Sequence, residues 1–112
     1  MASIYSGATF AAILDGKKLG LNALAHVQVS LVDYESASID KFHAFIQESE
    51  QVLECASITG DFDYILKVAA TDPENLEHFI MRNLLGLGVV RTTTTIFILR
   101  ELKVSGALPV GI

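Results

Sequence analysis

Asp61 and Asp63 bracket Phe62 immediately after Gly60, in the run Ile58-Thr59-Gly60-Asp61-Phe62-Asp63-Tyr64-Ile65-Leu66-Lys67-Val68. Strand-forming stretches lie on both sides, so the run reads as a tight hairpin that carries two carboxylates and open backbone amides beside an aromatic ring. Paired carboxylates do general acid–base chemistry when their surroundings drive their pKa values apart, and exposure at a turn works against that. Recognition suits them better. An α-amino group pairs with a carboxylate, an α-carboxylate accepts from the unpaired N–H groups that a glycine bend exposes, and a free amino acid carries both. An ordinary capped turn also uses Gly60 and one aspartate, so a site and a turn are both open readings of these residues. On the first, Asp63→Ala weakens binding and spares the fold, because a turn carboxylate lies outside the core.

The other reactive side chains form no such group. His26, His43 and His78 do not stand at the spacing of a metal-binding pair. Each reads as structural or solvated, with His26, on the non-core face of its strand, the one placed to titrate at a subunit interface. Cys55 follows Glu54 and has no cation beside it in sequence to lower its pKa, so it reads as a packed thiol. Glu48, Glu50 and Glu54 read as a solvated charge run. The run Thr92-Thr93-Thr94-Thr95 is either plain strand propensity or an array of hydroxyls on alternating faces, some of them reaching a ligand.

A chain of 112 residues fits one domain with its own core. Hydrophobic residues make up 51% and charged residues 19%, which argues against disorder and for apolar surface covered by a partner. A formal charge of −5 with only 8 Lys plus Arg gives little field for phosphate backbones, so tight DNA binding by this chain alone is not expected. The single cysteine rules out an intrachain disulfide framework or a multi-Cys zinc site and fits a cytoplasmic setting. There is no signal-peptide pattern and no apolar run near the roughly 18 residues that span a bilayer, so no membrane partner is expected.

The elements that position the hairpin follow from periodicity. Ala8–Leu14 reads as a short strand and Asp15–Gly20 as a turn. Ala23, Ala25, Val27, Val29 and Leu31 alternate with Leu24, His26, Gln28, Ser30 and Val32, the two-residue repeat of a strand with one apolar face. Ser36 or Ser38 caps a helix whose apolar stripe is Ile39, Phe42, His43, Phe45 and Ile46. Strands over Val52–Thr59 and Tyr64–Ala70 flank the Gly60 turn. Asp72 caps a second helix with Pro73 in its first turn, its stripe being Leu76, Phe79, Ile80, Asn83, Leu84 and Leu87, and Gly86 and Gly88 end it. Thr92–Lys103, with Ile96, Phe97, Ile98 and Leu99 in a row, reads as a strand buried on both faces. The sum is an α+β chain, a ferredoxin-like β-α-β-β-α-β sandwich with an antiparallel four-stranded sheet and a short extra N-terminal strand. Residues 1–22 form the linker with that strand, 23–103 the domain and 104–112 a tail. Two helices cover one sheet face, and the apolar residues on the other imply self-association.

With these landmarks in place, Thr59-Gly60-Asp61-Phe62-Asp63-Tyr64-Ile65-Leu66-Lys67-Val68 resembles the signature of the Lrp/AsnC family, the leucine- and asparagine-responsive feast/famine transcription regulators. Leu19-Gly20-Leu21, Val52-Leu53-Glu54-Cys55, Thr71-Asp72-Pro73-Glu74, Leu99-Arg100-Glu101-Leu102-Lys103 and Ala107-Leu108-Pro109 extend the resemblance over roughly residues 8 to 110. It is to the C-terminal effector-binding domain, also called the regulation of amino acid metabolism domain. The resemblance implies a non-enzymatic sensor that dimerises through its sheet, assembles as four dimers in a ring, and binds a small amino acid between dimers, with no other cofactor. It implies effector contacts at Thr59, Gly60, Asp61, Phe62 and Asp63, with Thr95 and Phe97 from the last strand. The family's N-terminal helix-turn-helix has no counterpart in these residues, so DNA contact is expected only through such a domain. Leu87-Gly88-Val89-Val90 departs from the Pro-Gly turn of many relatives. Two alternatives stand beside the sensor: a stand-alone domain that modulates full-length relatives, and a small dimeric α+β-barrel enzyme, which would need a His or Asp facing an enclosed cavity.

Overall fold

The computed structural model describes residues 22–104; the expected strand Ala8–Leu14 and the end of the tail lie outside the described residues. Strand β1 (Ala23–Leu31) is followed by helix α1 (Ser36–Glu48), the hairpin β2 (Val52–Ser57) and β3 (Tyr64–Ala70), helix α2 (Pro73–His78) and β4 (Val90–Phe97). The sheet order is β2-β3-β1-β4, and every neighbouring pair is antiparallel. This is the ferredoxin-like arrangement that the element order implies.

Alternation in β1 places Ala23, Ala25, Val27, Val29 and Leu31 in the core, as the period requires. They meet Leu66 and Val68 of β3 and, from the helices, Phe42, Leu76, Phe79, Ile80 and Leu84. Phe42, Leu66, Leu76 and Leu84 are among the largest wholly buried side chains, each stabilising the fold by about 1.5–3 kcal/mol relative to exposure. Phe45 stacks on Phe79 at 5.8 Å between ring centroids, tying α1 to the turn that follows α2. The opposite sheet face carries Leu24, His26, Gln28, Ile65, Lys67, Thr94 and Ile96. There Lys67 Nζ donates to Glu101 Oε2 at 2.9 Å, holding the segment after β4 against the sheet.

Four local expectations change. No serine caps α1: Glu35 occupies the cap without a side-chain bond, and the Asp33 carboxylate accepts from its N–H. β2 stops at Ser57, and a register shift between Val52 and Glu54 breaks its alternation, burying both Val52 and Leu53. The second helix begins as expected, Asp72 accepting from Asn75 N–H behind Pro73, but it widens into a π turn over Phe79–Leu84. Its i→i+5 repeat sets Leu84 beneath Phe79 and leaves Asn83 exposed. β4 ends at Phe97 as an edge strand, Ile96 and Phe97 being 47% and 45% exposed, so it is not buried on both faces. Gly88, at φ 90°, closes the second helix.

Candidate functional site

Ile58–Asp63 leaves the β2–β3 hairpin as an open loop. Its base is closed twice: Ile58 N–H donates to the Asp63 carbonyl at 3.0 Å, and Asp63 N–H donates to the Val29 carbonyl of β1 at 2.8 Å. Gly60 makes the bend at φ 112°, a conformation that glycine adopts without steric cost. Thr59, Gly60 and Asp61 are exposed, while Phe62 and Asp63 are half-buried. Among the described residues, the amides of Thr59, Gly60, Asp61 and Phe62 donate to no acceptor.

The two carboxylates have different tasks. Asp63 Oδ2 accepts from Leu31 N–H and its Oδ1 accepts from the Tyr34 hydroxyl, both at 2.9 Å. It therefore clamps the loop to the end of β1 and to the turn before α1, which a free turn carboxylate would not do. Asp61 has no hydrogen-bond or ion-pair partner among the described residues. Beside them the Asp63 hydrogen bond and charge raise the Tyr34 pKa above its ordinary value, with Arg91 acting the opposite way. Desolvation, then the Cys55 and Asp63 charges, raise that of Tyr64, whose hydroxyl lies 3.2 Å from His43 Nε2 and whose ring packs 4.7 Å from that of Phe42. Cys55 is exposed and not packed as expected, although desolvation still raises its thiol pKa above the ordinary value.

Thr59 through Asp63 thus come together, whereas Thr95 and Phe97 do not join them within one chain. Thr95 pairs with Val27 and Phe97 with Ala25, on the far side of β1 from β3. The loop meets β1 at Val29 and Leu31, so Phe97 is some 13 Å or more along the strand from it. Neither Tyr34 nor Arg91 is marked by residue spacing; Tyr34 is joined to the loop through its bond to Asp63, and Arg91 lies across β1 from it. At the other end of β3 lies a cleft of about 380 Å³, lined by Gln51, Ala70, Asn75, His78, Phe79 and Asn83 among others. Nothing in the residue spacing announced it. Among the described residues no group of three or more His, Cys, Asp or Glu gathers to hold a metal, and no helix is long and apolar enough to cross a membrane.

Residues 24–108 match the model of the Lrp/AsnC ligand binding domain. The leucine-responsive regulatory protein of Haemophilus influenzae is 32% identical over 94 residues, 84% of this chain and 57% of that protein. A transcriptional regulator of Neisseria meningitidis, solved as a complex with L-Met, superposes with a TM-score of 0.80 at 28% identity, over 85% of this chain and 61% of that one. A Thermus thermophilus protein superposes with a TM-score of 0.62 at 26% identity, over 72% of this chain and 98% of its own. The chain spans about three-fifths of the length of relatives such as the first of these. The Haemophilus and Neisseria proteins are transcriptional regulators and not enzymes. By its sheet order, its hairpin and the match over most of its length, this chain belongs to the Lrp/AsnC family, in the part that forms the ligand-binding domain.

Proposed function

We propose that this chain is an effector-sensing and oligomerisation domain that binds a small amino acid at the Thr59–Asp63 loop, between dimers, in the cytoplasm. The observation that carries the reading is the open loop itself: an unpaired carboxylate, Asp61, stands among four unpartnered amides. An ammonium group and a carboxylate both find partners there. The loop is exposed, so one chain cannot enclose a ligand on it; Thr95 and Phe97 enter the site from a neighbouring copy. Dimers form through the sheet face of Leu24, His26, Ile65 and Ile96, and four of them close a ring. The amino acid favours one assembly over another and thereby moves helix-turn-helix domains on DNA. The L-Met complex of the Neisseria regulator supports an amino acid as the effector class.

A second reading is a stand-alone domain that tunes full-length relatives by co-assembly. The Thermus chain favours it, since nearly all of that protein is matched by this fold. Calorimetric titration with the common amino acids, followed by light scattering with and without the one that binds, tests the sensor. Binding with a change of assembly is expected; no binding to any of them would sink it. Mixing with a full-length relative tests the second reading by the appearance of mixed oligomers.

A further inference from the structure

We propose that Arg91 recognises the α-carboxylate of the amino acid bound at the Gly60–Asp63 loop. The inference rests on the sensor reading and adds to it a residue and a division of labour. Along β1 and β4, Ser30 pairs with Thr92 and Leu31 pairs with Val90, so Arg91 is the extra, unpaired residue of a bulge. Bulges bend a strand and re-aim one side chain. The bulge lies opposite Leu31, whose N–H is the one held by Asp63. The loop and Arg91 therefore reach the same point of β1 from its two edges, about 10 Å apart given neighbouring strands at roughly 4.8 Å. Tyr34 stands beside the loop, its hydroxyl donating to Asp63 Oδ1 at 2.9 Å, and the Arg91 charge is the least of the influences on that phenol.

Arg91 is exposed and pairs with no carboxylate among the described residues. No ion pair joins it to Asp63, whose two oxygens accept from Leu31 N–H and the Tyr34 hydroxyl instead. An uncommitted guanidinium on one side and the uncommitted Asp61 carboxylate on the other match the two ends of a zwitterion. The planar fork of arginine holds a carboxylate through two parallel N–H bonds, a geometry that lysine lacks. The loop amides alone would read the same group without a formal charge.

The test titrates the protein with the amino acid found to bind it and with that amino acid's C-terminal amide, which keeps the ammonium and side chain but loses the negative charge. Wild type is expected to prefer the acid at least tenfold. Arg91→Gln is expected to lose about that factor for the acid, keep its affinity for the amide, and so abolish the preference; Arg91→Lys restores part of it. Unchanged affinity for the amide also shows that the variant is folded. An undiminished preference in Arg91→Gln overturns the proposal and gives the carboxylate to the loop amides. Equal loss for acid and amide overturns it too, making Arg91 a structural residue. A wild type that binds no amino acid fails one step earlier, removing the sensor reading together with this assignment.

Discussion

At the Tyr64 end of β3 the chain presents a loop with a free carboxylate and open amides; at the Ala70 end, about 20 Å away along the strand, it forms an open cleft of about 380 Å³. The loop has charge and almost no walls. The cleft has walls, formed by Phe79, Ala69 and Ala70, but its polar groups are amides, a hydroxyl and His78. Some of those are already occupied: Asn75 donates to the Thr71 hydroxyl and to Asp72. A volume is easily mistaken for a site, yet a zwitterion is recognised by opposite charges left unpaired, and these lie at the loop end. Walls can be lent by a second copy; an unpaired carboxylate such as Asp61 cannot be made from a neutral cleft.

That contrast is sharpened most by Asp63→Ala. Its loss leaves Leu31 N–H without its acceptor and frees Tyr34, so urea unfolding is expected to show a loss of about 1–3 kcal/mol, together with weakened amino-acid binding as the loop loses its frame. Unchanged stability would mean that the clamp is not made in solution. Asp61→Asn comes next. Binding should fall about tenfold through loss of a charge-assisted bond, while stability stays within about 0.5 kcal/mol, as for an exposed side chain that touches nothing. If Asp61→Asn instead unfolds the protein and Asp63→Ala does not, the two roles have been assigned the wrong way round.

Asp72→Ala carries the comparison to the cleft. It removes the acceptor of Asn75 N–H at the start of α2, an N-cap worth about 1 kcal/mol, and one of the two bonds that hold the Asn75 side chain at the cleft. Stability should fall by about that amount and amino-acid affinity should not move. A fall in affinity as large as that of Asp61→Asn would place the ligand in the cleft and break the comparison. This cap was legible in the sequence, because Asp-Pro-Glu at a helix start acts through local geometry, and the same holds for the β1 alternation and the Gly60 bend. The unread features have non-local causes. Whether Asp63 is a ligand group or a clamp depends on Leu31 and Tyr34, about thirty residues away, which no spacing rule connects to it. The exposure of Ile96 and Phe97 follows from β4 lying at an edge, where a run of apolar residues looks the same as one buried in the middle of a sheet. Asn83 left the helical stripe because the π turn changed the period that the stripe assumed.

The smallest expected effect is read in alkali. Tyr34 titrates above the ordinary phenol range because its proton is shared with Asp63 and ionisation would place two negative charges together. The folded protein thus holds this proton more tightly than the unfolded chain, so the contribution is fully present below the unfolded pKa, near 10.0, and is lost as pH rises through the raised folded value. The loop should consequently loosen in that window. Tyrosinate absorbance of wild type minus that of Tyr34→Phe isolates this one phenol from Tyr64, which is also raised but chiefly by desolvation. The difference curve is expected to lie above the ordinary tyrosine range and to return to it in an Asp63→Ala background, since the carboxylate is its principal cause. A Tyr34 that titrates at the ordinary value in both backgrounds would show that its hydroxyl does not rest on Asp63. The loop end would then lose the contact that separates a clamping carboxylate from a binding one.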